Sequence, residues 1–451
     1  MKISLGDIRR ALNIPSDKAT DDIMITGVSK NSKTVKKGEL FVPLRGARFD
    51  GHDFIPGAVE AGASAVLCDR KELSFDVPTL YVDDTLKAVQ SLAGWYMKSL
   101  SVKKVGVTGS TGKTTTSILI RSALSKKFNV FKTEDDMNGQ IGMTFSAFDL
   151  DNTYDAAVLE MGMSQYGELS RLTRIANPDI AVINMIGSAH IEFFGSRENI
   201  LKAKLEILEG LKPDGTVVLN GDDDLLWSLK GKLPHKTIYY GLYNPDADVK
   251  GEYIGFEDGA EHFICGGNEF AVPSKGKHYV QNAIAAIAVG RELGFDDGSI
   301  AAGIADFQPA KGRQRMYDAN GCHIIEDCYN ASPEAVKASL NVLKESAPKK
   351  AIALLGDMLE LGEHAQKAHF ECGECAAKCC DMILAFGDNA KYYLEGAKSA
   401  GMSEEKLLHF TDRAQMADAA KRIAEKGDTL LFKGSHGMKL EEVLTKFLEN
   451  N

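Results

Sequence analysis

The sequence lacks any apolar run that approaches the length of a membrane span, which argues against insertion into a membrane. Its first residues, MKISLGDIRRALN, contain no long apolar region like that of a signal peptide, so we expect a cytoplasmic protein. The sequence also has fewer basic than acidic residues. The net charge of −10 disfavours broad contact with nucleic acid, so local basic groups must hold any polyanionic ligand.

The eight cysteines lack the regular spacing of a disulfide framework, which favours reduced thiols. Four of them lie in the stretch HFECGECAAKCC, where His369, Cys372, Cys375 and Cys379 fall near one helical stripe. A helix rises roughly 10 Å between Cys372 and Cys379, whereas a zinc–sulfur bond is about 2.3 Å. An intact helix therefore cannot bring these thiolates to one ion, and small apolar side chains are the simpler interpretation.

Low-complexity tracts and clear repeats are absent, and the 451 residues exceed what one hydrophobic core usually supports. Strand-like stretches alternate with helical ones, which predicts an α/β protein of mostly parallel sheets covered by helices. The pattern changes near residues 83–101 and 308–314. We therefore expect three domains, at 1–85, 86–310 and 311–451. The strand-like stretches are ASAVLCD, LYVDD, KKVGVTG, AAVLEMG, DIAVINM, GTVVLNG, AIALLGD, MILAFGD and DTLLFKG.

Residues 105–116, VGVTGSTGKTTT, pass from a strand-like run through a glycine turn into a helix. Such a turn binds phosphate through backbone N–H groups and the helix N-terminus, with Lys113 as a point charge and Thr114 placed for magnesium. The full Walker spacing would need glycine at Val107, so the match is incomplete. The glycines also do not make the GxGxxG of a dinucleotide fold. The predicted nucleotide-binding residues here are Gly109, Ser110, Thr111, Gly112, Lys113, Thr114 and Thr115.

Three further polar positions lie after apolar strands in the central segment. Glu160 ends the run AAVLE, where a carboxylate is costly unless charge-paired, and this favours a magnesium ligand over a helix cap or a solvated glutamate. His190 follows the strand DIAVINM, but a lone histidine is more often a packed or exposed side chain. In the amphipathic helix ILKAKLEILEGL, Lys202 and Lys204 would ordinarily be solvated surface charges.

Several long motifs resemble those of the ATP-dependent Mur ligases of bacterial peptidoglycan synthesis, and the resemblance covers nearly the full length. The motifs are TGSTGKTTT at 108–116, EMGMSQYGELSRLTRIANPDIAVINMIGSAHIEFFGS at 160–196, AKLEI at 203–207, IEDCYNASP at 325–333, LLGDMLELGEHA at 354–365 and LLFKGSHGMKLEEV at 430–443. The resemblance implies a central domain like the phosphate-loop ATPases and a Rossmann-like C-terminal domain that binds nucleotide and the incoming amine.

The resemblance also implies roles for individual residues, with ATP and Mg²⁺ as cofactors. Glu160 and His190 would hold magnesium, and Lys204 would be carbamylated and help to position a second ion. The implied catalytic residues are Lys113, His190 and Lys204. The implied adenosine site contains Asn282, Asp327, Tyr329 and Asn330, with Arg313 near the phosphates. Without the family, Tyr329 and Asn330 before a proline are an ordinary turn.

The segment before the phosphate loop is similar to the family's uridine-nucleotide domain and places Ser32 and Lys33 at the substrate. It has Asn, Ser and Lys at 31–33 where the family commonly has Asp, Ser and Arg. A lysine keeps the positive charge of arginine but lacks its planar, two-pronged guanidinium group. The alternative interpretation of this lysine-rich stretch is a solvated loop without a role in substrate binding. A second departure is TEDDMNGQIGMT at 133–144, where Asn138 is the implied substrate residue. Asp135 and Asp136 there would face solvent or alter substrate preference.

The resemblance implies a ligase that joins D-alanyl-D-alanine to UDP-N-acetylmuramoyl-tripeptide. The resemblance implies transfer of the ATP γ-phosphoryl group to the peptide carboxylate, attack of the amine on the acyl phosphate, and a monomer that closes about a hinge near residues 311–315. One alternative is a sister ligase that adds a different amino acid. Another is a phosphate-loop hydrolase, a kinase or a noncatalytic nucleotide-binding protein.

Overall fold

The computed structural model describes residues 1–46, 48–134 and 137–449. Its backbone contacts divide the chain into two compact units. The first unit consists of Met1–Val107, Lys127–Ala181 and Leu205–Thr216, and the second of Thr108–Lys126, Val182–Lys204 and Val217–Asn451. The unit boundaries fall within the predicted central segment, so the division at residues 85 and 310 stays a prediction.

Residues 1–108 begin with short strands and end on the strand that leads into the phosphate loop. The elements are β1 (Ile3–Ser4), α1 (Leu5–Ala11), β2 (Met24–Ile25), β3 (Gly27–Ser29), β4 (Glu39–Phe41), α2 (Ile55–Glu60), β5 (Ala65–Cys68), β6 (Thr79–Tyr81), α3 (Thr85–Ser99) and β7 (Lys103–Thr108). The helix α3 begins at Thr85 because the Asp84 carboxylate accepts a hydrogen bond from the Lys87 N–H and caps it.

Residues 113–241 alternate between helix and strand. The elements are α4 (Lys113–Leu124), β8 (Val130–Lys132), α5 (Gln140–Ser146), β9 (Ala156–Glu160), α6 (Glu168–Ala176), β10 (Ile180–Ile183), α7 (Ile191–Phe194), α8 (Arg197–Leu205), β11 (Thr216–Asn220), α9 (Asp224–Trp227) and β12 (Lys236–Gly241). The rest of the chain to residue 305 forms β13 (Val249–Glu257), β14 (Ala260–Cys265), β15 (Asn268–Val272), α10 (Lys277–Glu292) and α11 (Asp297–Ala305).

Residues 315–448 form a second alternating series. The elements are β16 (Arg315–Ala319), β17 (Cys322–Asp327), α12 (Pro333–Ser346), β18 (Ala351–Gly356), α13 (Ala365–Ala376), β19 (Met382–Phe386), α14 (Lys391–Ser399), β20 (Leu407–Phe410), α15 (Arg413–Ile423), β21 (Thr429–Lys433) and α16 (Leu440–Leu448).

In the first unit, β3, β4, β5 and β6 form a parallel sheet in chain order. The strands β7, β9 and β8 are also parallel, and β9 lies between the other two. Val107 pairs with Glu160, so β7 and β9 end at the same edge. Since ligands of open α/β sheets bind beyond the carboxyl ends of the strands, Glu160 stands at a ligand-binding edge.

In the second unit, a six-stranded sheet has the order β16-β17-β21-β18-β19-β20. It is parallel except for the antiparallel pair of β16 and β17. Its buried face packs aliphatic and aromatic strand residues against α15 and α16, and this core includes Ile324, Leu354, Leu430, Phe432, Met416, Ala420, Val443 and Phe447. The burial of these apolar side chains fixes the strand ends that carry the site residues.

The nine strand-like stretches of the sequence all contain strands, which confirms the α/β fold. The antiparallel strands β13, β14 and β15 were not predicted. In β13 buried and exposed residues alternate over much of the strand, whereas the sequence analysis searched for continuous apolar runs, which are typical of strands buried on both faces.

The predicted helix ILKAKLEILEGL is only partly an α-helix. The α-helix ends at Leu205, and residues Glu206–Gly210 form a 3₁₀ helix. The Glu206 carboxylate accepts the N–H groups of Gly167 and Ser170, and a side chain at Gly210 would collide with the Thr173 carbonyl. These tertiary contacts at the start and along one side of α6 impose a tighter turn than the amphipathic pattern alone indicates.

Candidate active site

A glycine, serine and threonine loop joins the end of β7 to α4. The Ser110 N–H donates to the Met185 carbonyl at 2.8 Å, and the Ser110 hydroxyl donates to the Gly187 carbonyl at 3.4 Å. Thr114, in the first turn of α4, is buried. The loop is therefore held by the segment that follows β10.

Gly112 is required by both conformation and space. Its φ of +78° lies in the left-handed region, and it occupies the N-cap position of α4. A Cβ at this position would come within 3.1 Å of the Asn282 Oδ1 atom and 3.3 Å of the Asn184 Nδ2 atom. Any side chain here would push the loop away from both asparagines, so the glycine keeps the loop closely packed.

The N-terminus of α4 is suited to an anion. No side chain caps this helix end, and its first turn contains no acidic residue. The backbone N–H groups of a helix start and the positive end of its dipole attract phosphate oxygens. The Lys113 ammonium group donates to the Gly109 carbonyl at 3.0 Å, which places its charge beside the same loop.

A buried polar network supports the loop from below. The Asn184 side-chain amide donates to the Thr116 hydroxyl at 2.8 Å, and that hydroxyl lies 3.1 Å from the Asn282 Oδ1 atom. All three residues are buried. Sequence reasoning did not select Asn184 or Thr116; the available signal was a polar residue directly after the buried strand β10, where an unpaired amide is costly.

Lys204 is buried, with 2% of its surface exposed, whereas Lys202 on the same helix is exposed. The interpretation of both as solvated surface charges is therefore wrong for Lys204. Burial lowers the pKa of the Lys204 amine well below its usual value, and the Lys113 charge lowers it further. The tertiary structure thus favours a neutral, nucleophilic amine at this position.

His190 lies close to both lysines. Burial lowers the pKa of His190; Glu360 opposes this effect, and the charges of Lys113 and Lys204 add to it. The structure thereby brings together the three residues named as catalytic in the sequence analysis. Their roles in the reaction stay a prediction.

Two glutamates from the chain after residue 311 contact the loop that follows β10. The Glu360 Oε2 atom lies 2.5 Å from the His190 Nδ1 atom, and the Glu360 carbonyl accepts the Glu192 N–H at 3.2 Å. The Glu334 Oε1 atom accepts the N–H and the hydroxyl of Ser188 at 3.0 and 2.7 Å. Neither glutamate was selected from the sequence, since only folding brings them to this loop.

Residues 312–330 form a second group of predicted nucleotide-binding residues. The Arg313 guanidinium carbon lies 3.9 Å from the centre of the Tyr329 ring, and the Gly312 carbonyl accepts the Tyr329 N–H at 3.1 Å. The Arg313 charge therefore lies against the face of the Tyr329 ring. Asn330 is exposed, and its Oδ1 atom accepts the Ala331 N–H at 2.9 Å.

Asp327 is engaged by its own chain. Its Oδ2 atom accepts the Ser339 hydroxyl at 2.6 Å and the Lys433 ammonium at 2.7 Å, and its Oδ1 atom accepts the Gln314 N–H at 3.2 Å. Lys433 also donates to the Asn330 carbonyl at 2.9 Å. Asp327 therefore holds the strand end and the preceding linker in place, and its direct contact with adenosine stays a prediction.

The remaining predicted residues lie in the first unit. The Asn138 side-chain amide donates to the Glu160 Oε1 atom at 2.8 Å, so the structure pairs a predicted substrate residue with a predicted metal ligand. Glu160 is buried at the end of β9. The two alternative interpretations, a helix cap and a solvated glutamate, are therefore wrong. Ser32 is half-buried and Lys33 is exposed. Asp135 and Asp136 lie outside the described residues.

Over the described residues 1–46, 48–134 and 137–449, no group of three or more histidine, cysteine, aspartate and glutamate side chains could hold a metal ion by itself. Within the same part of the chain, no helix combines the length and the apolar character needed to cross a bilayer.

Three domain families match the chain. "Mur ligase family, catalytic domain" matches residues 24–95, "Mur ligase middle domain" residues 107–290, and "Mur ligase, glutamate ligase domain" residues 312–436. The UDP-N-acetylmuramoyl-tripeptide–D-alanyl-D-alanine ligase of Bacillus subtilis is 39% identical over 95% of this chain and 94% of its own length. The enzyme of the same name from Escherichia coli is 31% identical over 95% of each chain.

Solved structures give the same picture. MurF from Acinetobacter baumannii superposes with a TM-score of 0.90 at 27% identity, over 100% of this chain and 99% of its own. MurF from Thermotoga maritima in complex with ADP gives a TM-score of 0.82 at 33% identity, over 93% and 96%. A UDP-N-acetylmuramoyl-L-alanyl-D-glutamate–2,6-diaminopimelate ligase, at 18% identity and a TM-score of 0.56 over 99% of each chain, shares the fold.

Proposed function

Because this chain belongs to the Mur ligase family, we propose that it joins D-alanyl-D-alanine to UDP-N-acetylmuramoyl-tripeptide at the expense of ATP. Relatives that match over nearly the whole chain are named for this reaction, which favours it over a sister ligase that adds a different amino acid. The product is the pentapeptide precursor of peptidoglycan, made in the cytoplasm by a monomer.

The observation that carries this proposal is the uncapped, glycine-led start of α4 with Lys113 folded beside it. This arrangement suits the β- and γ-phosphates of ATP, and a solved relative contains ADP. Asn282, which lies directly behind Gly112, and the stacked Arg313–Tyr329 pair are the proposed contacts for the rest of the nucleotide. A flat guanidinium stacked on a ring suits both a phosphate and a purine base.

The residues present fit magnesium that is completed by a nucleotide. Magnesium in nucleotide sites usually binds one or two carboxylates together with phosphate oxygens and waters, so a set of three protein acids is not needed. Thr114, Glu160 and His190 are the proposed protein ligands. Bound magnesium would neutralise the developing charge on the phosphoryl oxygens.

The chain's own groups then have distinct tasks. Lys113 and the N–H groups of the phosphate loop stabilise the charge on the transferred phosphoryl group while the substrate carboxylate attacks it. The amine of D-alanyl-D-alanine attacks the resulting acyl phosphate and releases phosphate. No protein nucleophile is required, because the activated intermediate is the substrate's own acyl group.

Lys204 is proposed to carry a carbamate. Carbamate formation requires a neutral amine, and the buried environment of Lys204 favours that form. The product is an anion suited to a hard metal ion. We expect enzyme stripped of carbon dioxide to lose ligation and to recover it with bicarbonate, while Lys204→Ala shows no recovery. Equal rates with and without bicarbonate would contradict the carbamate.

The three segments are proposed as functional domains. Residues 1–85 would bind the uridine nucleotide through Ser32 and Lys33, residues 86–310 would bind ATP, and residues 311–451 would bind the nucleotide and the dipeptide. Asn138 is proposed to contact the peptide, since its amide already meets Glu160 at the strand edge. Two matched domain families lie within the second and third segments, at 107–290 and 312–436, and the match at 24–95 begins in the first segment and passes its proposed end at residue 85. These matches support three domains, with the first boundary near residues 85–107.

A substrate-pair screen tests the function. Purified protein, ATP and magnesium are combined with UDP-N-acetylmuramoyl-tripeptide and D-alanyl-D-alanine, and the products are read by mass spectrometry. We expect a new amide and one phosphate released per amide, with neither formed when one substrate is omitted. The third peptide residue is varied between lysine and diaminopimelate in parallel reactions.

Other outcomes would identify the rivals. Amide formation with a single free diamino acid would show the sister ligase. A stable phosphorylated product without an amide would show a kinase. Phosphate release from ATP at the same rate with and without the two substrates would show a hydrolase. Retention of ATP without any turnover would show a nucleotide-binding protein.

A further inference from the structure

Behind the phosphate loop, three buried side chains form a chain of hydrogen bonds, which we call the amide relay. It consists of Asn184 after β10, Thr116 on α4 and Asn282 on α10. The Asn184 Nδ2 group donates to the Thr116 Oγ1 atom at 2.8 Å, and the Thr116 hydroxyl donates to the Asn282 Oδ1 atom at 3.1 Å. Thr116 has no exposed surface, whereas 9% of Asn282 is exposed. Asn282 is therefore the member of the relay that lies nearest to the surface.

Asn184 is fixed in place by its surroundings. Its N–H donates to the Thr108 carbonyl at 3.0 Å, and its carbonyl accepts the Tyr240 hydroxyl at 3.5 Å. A Cβ at Gly109 would come within 3.0 Å of the Asn184 Cβ atom, and a Cβ at Gly112 within 3.3 Å of the Asn184 Nδ2 atom. The side chain is packed between two strand ends and the phosphate loop, which limits where its amide can point.

The order of donors and acceptors in the relay decides which end of the Asn282 amide is available. A hydroxyl carries a single proton. Because the Thr116 oxygen accepts from Asn184, its own proton is donated to the Asn282 Oδ1 atom. A half-turn of the Asn282 amide would place its N–H group against this proton and leave the proton without an acceptor, which is costly in a buried site. The Asn282 oxygen therefore faces Thr116, and its Nδ2 group faces away from it.

The Asn282 Nδ2 group lies beside the phosphate loop. It would be 3.5 Å from a Cβ at Gly112, which occupies the N-cap position of α4. Among the described residues, none accepts a hydrogen bond from this group. Its N–H donors are thus left for a bound molecule, next to the loop that is proposed to hold the phosphates of ATP.

We propose that Asn184 and Thr116 are positioning residues that orient Asn282, so that its amide meets the nucleotide as a hydrogen-bond donor. The inference rests on the proposed function, in which Asn282 contacts the adenosine of ATP. The matching acceptor is a ring nitrogen of the adenine or the 2′ oxygen of the ribose. An amide that turned freely would often present its oxygen instead, and orienting it before binding avoids this cost.

Two substitutions at Thr116 separate hydrogen bonding from packing. Valine keeps the branched shape of threonine without the hydroxyl, whereas serine keeps the hydroxyl without the methyl group. Binding of ADP with magnesium to the full-length protein is measured by isothermal titration calorimetry. We expect Thr116→Val to weaken ADP binding about 3- to 10-fold, the effect of one hydrogen bond, and Thr116→Ser to stay within about twofold of wild type. A role in packing alone would reverse this order and overturn the proposal.

Pyrophosphate shows whether the phosphate loop itself is altered. It resembles the phosphates of ADP without the adenosine, so wild type and Thr116→Val should bind it equally. Ser117→Ala is the matched control, because Ser117 is the next residue of α4, is fully buried, and its hydroxyl has no partner within the described part of the chain. That variant should bind ADP as wild type does. An equal loss of ADP and pyrophosphate affinity in Thr116→Val would overturn the relay.

The relay also predicts that Asn184 and Thr116 act through the same contact. Asn184→Leu removes the first donor with a side chain of similar size, and we expect it to weaken ADP binding. The double variant with Thr116→Val should bind ADP as Thr116→Val alone does, because both changes release the same amide. Additive losses would contradict a shared action through Asn282.

The acceptor is identified with wild-type protein, which does not depend on the folding of a variant. Its affinity for ADP is compared with its affinity for the 1-deaza, 3-deaza, 7-deaza and 2′-deoxy analogues. We expect one analogue to bind about 3- to 10-fold more weakly than ADP, and to bind wild type and Thr116→Val equally. A loss with a deaza analogue assigns the contact to the base, and a loss with the deoxy analogue assigns it to the ribose.

The outcomes separate the relay from the proposed function. If wild type and Thr116→Val bind ADP equally, or if no analogue binds more weakly than ADP, the relay is wrong while the use of ATP stands. If wild-type protein binds no ADP, the proposed use of ATP is itself overturned.

Discussion

At the scale of single residues, the site depends on charges placed where water is scarce. Lys113 sits beside the phosphate loop, while Lys204 is buried and favours the neutral form. Lys204 thus departs from the usual preference of a lysine for the charged form. The difference comes from solvent access, because desolvation penalises an ammonium group and the positive charge of Lys113 adds to that penalty.

We expect Lys113→Ala to abolish ligation. Loss of a preorganised charge that stabilises a transferring group typically costs about 10²–10³ in rate. The measurement is amide formation at saturating ATP, with Lys202→Ala as the control because that exposed lysine lies outside the site. A Lys113→Ala enzyme with at least half of the wild-type rate would remove Lys113 from the mechanism.

A second residue-scale prediction concerns stability. Lys104 in β7 is buried, and burial lowers the pKa of its amine from 10.5 to about 8. The unfolded chain therefore binds more protons than the folded chain between about pH 8 and 10.5, and stability should rise with pH across that window. Lys104→Met, which has no charge to bury, should lack this rise and be more stable at pH 7.

Urea denaturation of both proteins at pH 7, 8, 9 and 10 checks this sign. The quantity compared is the difference in the free energy of unfolding between wild type and Lys104→Met at each pH. The contributions of all other titrating groups cancel in this difference. If the difference stays constant with pH, or if the wild type loses stability relative to the variant as the pH rises, Lys104 is not a buried charge that destabilises the fold.

At the scale of elements, loops between strands and helices carry the chemistry, and the loop after β10 receives support from two directions. Met185 and Gly187 hold the phosphate loop on one side. Glu334 at the start of α12 and Glu360 after β18 contact Ser188 and His190 on the other. This loop therefore contacts both the phosphate-binding loop and the chain beyond residue 311.

Because Glu360 contacts His190, a proposed magnesium ligand, we expect Glu360→Gln to lower kcat by about 10- to 100-fold, the usual effect of losing a group that orients a metal ligand. The KM for ATP should stay within twofold of wild type, because Glu360 acts through His190 and not on the phosphate loop. Steady-state kinetics measures both constants. Glu363→Gln is the matched control, since that side chain is 90% exposed. A loss of activity equal in both variants would contradict a positioning role for Glu360.

At the scale of the whole molecule, the proposed reaction requires three substrates to meet and an acyl phosphate to be kept from water. Attack on that intermediate needs reacting atoms about 3–3.5 Å apart, which favours closure of one domain on another. The chain between Lys311 and Arg315 offers a place for such a hinge. Gly312 there has a φ of +71°, and Gln314 has a φ of +50°.

We expect the C-terminal segment to move about residues 311–315 when substrates bind. Small-angle scattering of the protein alone and with an ATP analogue plus the nucleotide-linked peptide should show a smaller radius of gyration in the complex. Superimposable profiles would exclude a large closure. The analogue alone provides the control that separates nucleotide binding from substrate-driven closure.

Sequence reasoning reached the strands and the phosphate loop because both depend on local patterns. Continuous apolar runs such as AAVLE and DTLLF predict buried strands, and GSTGKT predicts a glycine turn at a helix start. The antiparallel strands β13 and β14 were missed because buried and exposed residues alternate along much of each strand. The end of α8 also escaped it, since contacts from α6 decide where that helix tightens.

The sequence by itself determined the α/β fold, the phosphate loop and the family, because each is written in neighbouring residues or in long motifs. Only the tertiary structure decided that Lys204 is buried while Lys202 is solvated, that Glu360 meets His190, and that Asn184, Thr116 and Asn282 form one network. Burial and contacts between residues distant in the chain are properties of the packed molecule. A pattern of neighbouring residues does not contain them, since the same lysine has a different protonation preference in water and in the core.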